Sequence, residues 1–186
     1  MAATTDIQAA ARSLRAGGVI AYPTEAIQGL GCLPDRPEAL RRLLKIKRRH
    51  PAKGLILLAA APAQLEPWTA PLTSAEWRTI LTPSRHPTTW IVPAAPDISP
   101  LLTGGRPTIA VRITRHPLAR QLCLAAGSAI VSTSANLAGQ PPTRNPAALD
   151  PALTRGLDLV LRGACGSARR PSQIRLLTNP GKPVRV

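Results

Sequence analysis

The chain has 186 residues, of which 44% are hydrophobic, a length that suits one ordinary core and is short for two. It carries 24 Lys and Arg against 9 Asp and Glu, and this net charge of +15 would attract phosphate-rich partners, nucleotides and RNA first. An Arg-, Ala- and Pro-rich composition can also raise the charge without a binding role, so basicity alone assigns no partner. We predict a single domain over residues 1–186.

Composition argues against membrane proteins and disulfide-rich secreted proteins. No apolar run approaches the length of a membrane span, and the N-terminus lacks the apolar centre of a signal peptide. Cys32, Cys123 and Cys165 are widely spaced, with no Cys-x-x-Cys, so neither a disulfide framework nor a zinc knuckle is indicated. We expect a soluble protein of the reducing cytoplasm, without a membrane partner.

The first elements along the chain are a helix, a strand and a second helix. Residues 7–14 place apolar side chains at helical spacing, and the strand-like run "VIAY" follows. Residues 35–49 predict the second helix, with Asp35 as its N-cap and Pro37 in its first turn. We expect His50-Pro51 to break this helix, because the residue before a proline avoids the α region.

Further strands and one more helix follow. Apolar runs bounded by turn residues predict strands at "GLILLAA", "TTWIV", "TIAVRIT", "AIVSTSA" and "LDLVLRG", and "HPLARQLCLAAG" predicts a helix. The proline-rich segments 93–107 and 138–151 are predicted to be surface loops. This order of elements indicates a mixed α/β fold.

Polar side chains stand in or after three of the predicted strands, and open α/β sheets usually bind ligands at strand ends. The sequence "YPTE" follows the first strand, Arg112 lies within "VRIT", and "VSTSAN" contains Ser132, Ser134 and Asn136. Buried polar groups without partners cost about 1–3 kcal/mol each. An anionic ligand would supply the missing partners.

Missing motifs exclude several ligand chemistries. The chain has neither a P-loop nor a G-x-G-x-x-G after a strand, so any phosphate site must be built in another way. Each histidine precedes a proline, which favours a turn role over metal binding or catalysis. Glu25 is the only carboxylate in a candidate site, so we expect Mg²⁺ to be carried with substrate phosphates and no dedicated protein metal site. Hydroxyls, an amide and cations remain, a set suited to phosphoryl or nucleotidyl transfer.

Four segments together resemble one family. The segments "YPTEAIQGLGC", "LLKIKRRHPAKGLILLAA", "IAVRITRHPLARQLC" and "VSTSANLAGQPP" follow the order and spacing of the YrdC/TsaC family of threonylcarbamoyl-AMP synthases, in its short single-domain form. They include the K-x-R…S-x-N signature of that family, here Lys47-Arg48-Arg49 and Ser134-Ala135-Asn136. The resemblance extends from near residue 7 to the C-terminus.

This resemblance implies a fold, a reaction and partners. The fold would be α/β, an open twisted mixed sheet flanked by helices around a basic concave cavity. The reaction would convert L-threonine, bicarbonate and ATP into threonylcarbamoyl-AMP and pyrophosphate, for the N6-threonylcarbamoyl modification of adenosine 37 in tRNA. A separate tRNA threonylcarbamoyl transferase complex would use the product. Direct binding of tRNA or double-stranded RNA stays open.

The resemblance also assigns site residues, none of them a covalent catalyst. The ATP side would comprise Lys47, Arg49, Lys53, Thr108, Ser134, Asn136 and Arg185. The threonine side would comprise Thr24, Glu25, Arg112, Ser132 and Ser172. Alternatives stay open for three of them: Glu25 either orients its loop or faces the substrate ammonium, and Thr108 and Ser172 either contact substrates or only close turns. Gly29 and Gly31 would let the chain turn tightly beneath the cavity.

The chain departs from the family pattern at two places. Gln28 stands where an aromatic residue is usual, and "SRHPTTW" stands where "WPGPVT" is usual, so the loop over residues 84–90 is expected to differ in shape. The charged and hydroxyl residues of the pattern are all present. We therefore expect activity, with an altered substrate affinity or selectivity.

The alternative function is a non-catalytic protein that holds double-stranded or ribosomal RNA in its basic cavity. The net charge supports this alternative. However, the aromatic residues are Tyr22, Trp68, Trp77 and Trp90 alone, too few to stack on many single-stranded bases. RNA contacts would then involve mostly the phosphate backbone and would weaken steeply with added salt.

Overall fold

The computed structural model describes residues 2–185, except for the side chains of Lys182 and Arg185. The strands within these residues are β1 Ala2–Thr4, β2 Ile20–Pro23, β3 Gln28–Gly31, β4 Ile56–Ala59, β5 Thr88–Pro93, β6 Thr108–Ile113, β7 Ile130–Ser134, β8 Leu159–Leu161, β9 Gln173–Leu176 and β10 Asn179–Arg185. The helices are α1 Ile7–Arg15, α2 Pro37–Lys47, α3 Ser74–Leu81, α4 Pro100–Thr103, α5 Pro117–Ala126 and α6 Pro151–Thr154. No helix in this part of the chain is both long and apolar enough to cross a bilayer.

The strands form one mixed sheet in the order β1-β8-β2-β3-β7-β4-β6-β5-β9-β10. β8 is parallel to β1 and β2, β4 is parallel to β6, and β5 is parallel to β9. The other neighbours, including β2 with β3 and β3 with β7, are antiparallel. The predicted open, mixed sheet flanked by helices is confirmed.

Each face of the sheet packs against its own group of helices. On one face, strand residues such as Leu57 and Val111 share a core with Leu40 and Leu43 of α2. On the other face, α1 and α5 cover only one part of the sheet, where Leu58 contributes to a second core. The helices therefore leave the remainder of this second face available for a site.

Most of the predicted elements are present, and the missing ones had weak or overlooked signals. α1, α2, α5 and strands β2 and β4 to β8 lie where the apolar patterns predict them. The elements that were not predicted are β1, β3, β9, β10, α3, α4 and α6, and α4, with Leu102 buried, lies within the predicted surface loop 93–107. α3 does carry a sequence signal, because Thr73 and Glu76 form a capping box at its start.

α2 begins without the predicted side-chain cap. Arg36 occupies the N-cap position, and its side chain makes no capping hydrogen bond. Pro37 is the first helical residue, as expected, and Glu38 forms an exposed ion pair with Arg41 at 3.6 Å. The prediction that Asp35 caps α2 is wrong: Pro37, which suits the first helical position, leaves Asp35 one residue too early for the cap.

The other end of α2 lies at Lys47, because Arg48 takes the left-handed conformation with φ 52° and ψ 43°. The amides of Arg48 and Arg49 donate to carbonyls in the last turn of the helix, which is the Schellman arrangement. Two residues two positions apart on a regular helix diverge by about 200°, and this reversal frees Lys47 and Arg49 from that geometry. The predicted break at His50-Pro51 is wrong, since the chain leaves the helix at Arg48.

Gly29 and Gly31 do not form a turn. Both lie in β3, whose hairpin with β2 is closed by residues 24–27. A Cβ on Gly31 would lie 2.1 Å from the carbonyl oxygen of Val131, and a Cβ on Gly29 would lie 3.3 Å from Cζ of Tyr22. The two glycines are therefore needed for close packing of neighbouring strands and of the Tyr22 ring, and the prediction of a tight turn is wrong.

We predict that Arg48→Gly stabilises the fold. A left-handed backbone costs a residue with a Cβ about 1–2 kcal/mol, and the greater entropy of glycine in the unfolded chain offsets part of this gain. The expected net gain is about 0.5 kcal/mol, or about 2 °C in the thermal midpoint, measured by circular dichroism. The matched control Lys45→Gly, inside α2, should lose about 1 kcal/mol. A lower midpoint for Arg48→Gly would contradict the left-handed helix end.

Candidate active site

The pairing of the strands places several predicted site residues on one face of the sheet. Residues paired across neighbouring strands point to the same face, and so do alternate residues along one strand. Ile56 pairs with Ser132 in β7 and with Ala110 in β6. Alternation therefore puts four predicted site residues on the face of Ile56: Thr108, Arg112, Ser132 and Ser134.

We call this surface, around Ile56, Ala110 and Ile91, the open face. These three residues are only partly buried, whereas Leu57 and Val111, which point to the opposite face, are completely buried. A ligand can therefore reach the backbone and the small side chains in the middle of the sheet. The predicted site residues surround this accessible area.

The ammonium of Lys47 connects the end of α2 to the end of β7. Lys47 is 3% exposed, and Nζ donates to the carbonyl of Ser134. Nζ also lies 3.2 Å from Ser134 Oγ, 2.9 Å from the carbonyl oxygen of Asn136 and 3.0 Å from Asn136 Oδ1. The K-x-R and S-x-N segments, far apart in sequence, are thus in direct contact. Four oxygens surround three N–H groups, so every Lys47 donor is engaged by the protein.

Two further predicted cations lie beside Lys47. Arg49 Nη2 donates to the carbonyl of Gly54 at 3.0 Å, and the exposed Lys53 directly precedes Gly54. Burial first, and then the positive charges of Arg49 and Lys53, lower the pKa of Lys47 to about 8. Lys47 is therefore mostly charged at neutral pH, and a phosphate nearby would favour the charged form further.

A cavity of about 440 Å³ lies next to the contact between Lys47 and Asn136. Residues 135–151, which we call the cavity loop, form its walls, with Asn136 at one end and Asp150 near the other. Pro141 and Ala148 contribute apolar surface between them. Small-molecule sites commonly have volumes of about 300–1,000 Å³, so this cavity is large enough for one.

Thr24 and Glu25 lie in the turn over residues 24–27, which we call the hairpin turn. Thr24 is 4% exposed, and its hydroxyl donates to the carbonyl of Ile27 at 2.8 Å. The hydroxyl proton of Thr24 is thus engaged within the hairpin turn, while the hydroxyl oxygen can still accept a hydrogen bond. Glu25 Oε1 accepts from the hydroxyl of Thr114 at 2.7 Å and from the amide of Arg115 at 3.0 Å. The carboxylate is directed toward protein groups.

Glu25 and Arg112 form a buried ion pair, with 3.5 Å between Oε2 and Nη2. Burial alone would raise the pKa of Glu25, but the Arg112 charge and the hydrogen bond from Thr114 outweigh burial and lower it. Among the described residues, Arg112 Nε and Glu25 Oε2 have no hydrogen-bond partner. An unpaired guanidinium donor on the open face is chemically suited to a carboxylate ligand.

Ser132 and Ser172 stand at different sides of Arg112. The ring of Tyr22, which is fully buried, lies near Ser132, and burial raises the pKa of Tyr22 far above its usual value. Ser172 has its hydroxyl 2.8 Å from that of Thr89 in β5. Thr89 is one residue from Trp90, the partner of Val111, so it shares the open face with Arg112.

The structure therefore brings together most, but not all, of the predicted residues. Thr108 begins β6 at the edge of the open face. The side chain of Arg185 lies outside the described residues, although its backbone pairs with Ile174 in β9. Thr89 and Thr114 also contact site residues, and sequence reasoning missed them. The position of Thr114 directly after the strand that holds Arg112 was the available signal.

Gln28, the departure from the family pattern, is completely buried at the start of β3. Its Nε2 donates to the carbonyl of Arg144 at 3.1 Å and lies 3.4 Å from the sulfur of Cys165. Its Oε1 has no hydrogen-bond partner among residues 2–185. The Gln28 amide thus connects β3 to the cavity loop by a hydrogen bond.

Comparison with known proteins decides the family. The model of the Sua5/YciO/YrdC family, described as telomere recombination, matches residues 12–186. The chain belongs to this family. Its similarity to other Sua5/YciO/YrdC proteins extends over nearly the whole chain.

Two curated relatives and two solved structures illustrate this similarity. The chain is 49% identical over 171 residues to the threonylcarbamoyl-AMP synthase of Stenotrophomonas maltophilia, covering 91% of this chain and 92% of that protein. It is 50% identical over 173 residues to the enzyme of the same name from Alkalilimnicola ehrlichii, covering 90% and 88%. Sua5 of P. abyssi in complex with L-threonine superposes with a TM-score of 0.84 at 26% identity, over 95% of this chain and 52% of that one. The chain thus spans about half of Sua5, whereas E. coli YciO is covered to 92%, with a TM-score of 0.79 and 26% identity over 100% of this chain.

We predict that Glu25→Gln destabilises the fold by about 2 kcal/mol at pH 7, because Arg112 would lose its buried counter-charge. The lowered pKa of Glu25 means that its carboxylate contributes stability above the unfolded pKa, and this contribution is lost as pH falls through the folded pKa. Urea unfolding of wild type and variant should therefore differ at pH 7 and converge at strongly acidic pH.

The control for this prediction is Glu38→Gln, which removes an exposed carboxylate and should change stability by under about 0.5 kcal/mol. Equal stability of Glu25→Gln and wild type at pH 7 would show that the ion pair does not stabilise the fold.

Proposed function

We propose that this protein is a threonylcarbamoyl-AMP synthase, which makes threonylcarbamoyl-AMP and pyrophosphate from L-threonine, bicarbonate and ATP for the N6-threonylcarbamoyl modification of tRNA. One observation carries the proposal: a cluster of cations around Lys47 and an unpaired, buried donor of Arg112 border the same open face. The chain is also about half identical to enzymes of that name. The first feature suits phosphates, and the second suits the carboxylate of an amino acid.

ATP would bind on the side of Lys47. Arg49 and Lys53 would contact the phosphates, while Lys47, whose donors are engaged, contributes its charge and holds Ser134 and Asn136 in place. The cavity beside Asn136 would take the nucleoside. Thr108 and Arg185 complete the proposed ATP side.

L-Threonine would bind on the side of Arg112. The free Nε of Arg112 would donate to the substrate carboxylate, and the lone pairs of Thr24 Oγ1 would accept from the ammonium or amide nitrogen. Ser132 and Ser172 would contact the remaining polar atoms. Glu25 acts through Arg112 in this arrangement, since its carboxylate is bound to protein groups.

The proposed chemistry needs no covalent intermediate with the protein. The amine nitrogen of L-threonine forms a bond to the carbon of bicarbonate, a C–O bond of bicarbonate breaks, and water leaves, which gives N-carboxy-threonine. A carboxylate oxygen of this carbamate then attacks the α-phosphorus of ATP while the bond to the bridging oxygen of pyrophosphate breaks. The protein aligns the two reactants and offsets the negative charge that develops on pyrophosphate. Mg²⁺ would be carried with ATP, in keeping with the engagement of the Glu25 carboxylate by protein groups.

The proposed surroundings of the enzyme follow from its substrates and product. The free thiols of Cys32, Cys123 and Cys165 are compatible with the reducing cytoplasm, which we propose as its location. A tRNA threonylcarbamoyl transferase complex would consume the adenylate. The proposed reaction does not require direct contact with tRNA or double-stranded RNA, which stays a separate question.

The proposal is tested by pyrophosphate release from the purified protein with each substrate omitted in turn. We expect release only when L-threonine, bicarbonate and ATP are all present. ATP turnover that ignores threonine or bicarbonate would overturn the proposed reaction. Salt-sensitive RNA binding without pyrophosphate release would instead favour the non-catalytic alternative.

The basic end of α2 provides a second test. Lys47→Ala and Arg49→Ala should each lower threonylcarbamoyl-AMP formation by at least about tenfold, which corresponds to about 1.4 kcal/mol of transition-state stabilisation. Lys45→Ala and Arg48→Ala are matched controls, because they remove exposed charges of the same segment, and both should stay close to wild type. A uniform, salt-sensitive decrease across all four variants would indicate a diffuse basic surface and no specific phosphate site.

A further inference from the structure

The cavity loop is fastened to the rest of the protein at two separate places. Near its start, Asn136 is held by Lys47, and the amide of Ala138 donates to the Lys47 carbonyl at 3.0 Å. Near its middle, the Arg144 guanidinium is bound to backbone carbonyls of two other segments. The residues that line the cavity include Asn136 at the first attachment and residues on both sides of Arg144, so the two attachments position its walls.

Arg144 joins the cavity loop to the hairpin turn. Its Nη1 donates to the carbonyl of Ala26 at 2.8 Å and to the carbonyl of Ala168 at 2.8 Å, and its Nη2 donates to the carbonyl of Gly166. Ala26 belongs to the hairpin turn, next to Glu25. A planar guanidinium with several fixed donors can bridge carbonyls of two segments at once, which the ammonium of a lysine does less well.

Additional backbone bonds make these segments one connected unit. The amide of Gly166 donates to the carbonyl of Thr24 at 2.9 Å, and the amide of Ala168 donates to that of Glu25 at 3.1 Å. A Cβ on Gly166 would lie 2.8 Å from the Glu25 carbonyl oxygen, so the two segments are in close contact. The amide of Gln28 also donates to the carbonyl of Thr143, just before Arg144, at 2.8 Å.

We propose that Arg144 is a positioning residue that couples the nucleotide cavity to the threonine site, so that occupancy of either site strengthens binding at the other. This inference rests on the function proposed above. The cavity loop would contact the nucleotide, the hairpin turn would contact threonine, and the Arg144 side chain bonds directly from that loop to the hairpin turn. Ordering of one segment by its ligand therefore reduces the entropy that the second ligand must overcome.

Isothermal titration measures this coupling as the ratio of nucleotide dissociation constants without and with saturating L-threonine. The nucleotide is an ATP analogue with a methylene bridge between the α- and β-phosphorus atoms, so that no reaction occurs. We expect wild type to bind the analogue about tenfold more tightly when threonine is present. In Arg144→Lys and Arg144→Ala the ratio should fall below about twofold, while each ligand still binds alone.

The matched control is Arg120→Ala, which removes an exposed arginine from α5 and should keep the wild-type ratio. Because coupling is reciprocal, titration of threonine with and without the analogue must give the same ratio in every variant. A wild-type ratio near one, or an unchanged ratio in both Arg144 variants, overturns the inference. Failure of wild type to bind either ligand would instead contradict the proposed function.

Hydrogen exchange gives a second readout that remains informative if Arg144→Ala folds poorly. In wild type, the analogue alone should slow exchange of the Gly166 and Ala168 amides, which are bonded to the hairpin turn. In Arg144→Lys, which keeps the charge, this remote protection should disappear although the analogue still protects the cavity loop. Persistent protection at Gly166 and Ala168 in that variant would show that the coupling does not pass through Arg144.

Discussion

A buried ammonium organises the centre of this protein. Removing a charge from water is costly, and Lys47 is tolerated because four oxygens of Ser134 and Asn136 surround it. These contacts require α2 to stop at Lys47 and β7 to end beside it, and they hold the first residues of the cavity loop. Helix end, strand end and cavity wall thus depend on one side chain. The same contacts leave Lys47 little freedom to follow a ligand, so in the proposed ATP site the adaptable phosphate contacts would come from Arg49 and Lys53.

The two halves of the site handle charge in different ways. On the Lys47 side, burial first and then the like charges of Arg49 and Lys53 lower the pKa of Lys47, and an anionic ligand would oppose this shift. The Arg112 side has one positive and one negative charge, because the Glu25 carboxylate lies 3.5 Å from the guanidinium. The triphosphate of ATP carries several negative charges, which suits the strongly positive Lys47 side. The carboxylate of threonine carries one negative charge, which suits the Arg112 side. The charge distribution alone therefore favours a different side of the site for each of the two proposed ligands.

The sequence predicted those parts of the fold that have strong local patterns. α1 and α5 follow from apolar periodicity and β4 from a continuous apolar run, whereas β3 is hidden because Gly29 and Gly31 resemble turn residues until strand pairing is known. The chemical types of the site residues were also predictable, and four of them share one face through the strand register. Contacts such as Thr89 with Ser172, or Arg144 with the hairpin turn, depend on long-range register and loop packing. No local pattern encodes them, so they could not be predicted.

The packing of Tyr22 over Gly29 and Gly31 has a consequence for the dielectric environment of the site. The ring and the bare backbone form a fully buried layer beside part of the open face, and the buried phenol stays neutral. Low polarisability on one side strengthens the field that Arg112 exerts on a bound carboxylate, and mobile ions cannot enter this layer to weaken it. Gly29 and Gly31, which have no side chains, thus help to give the proposed amino-acid site a low local dielectric constant.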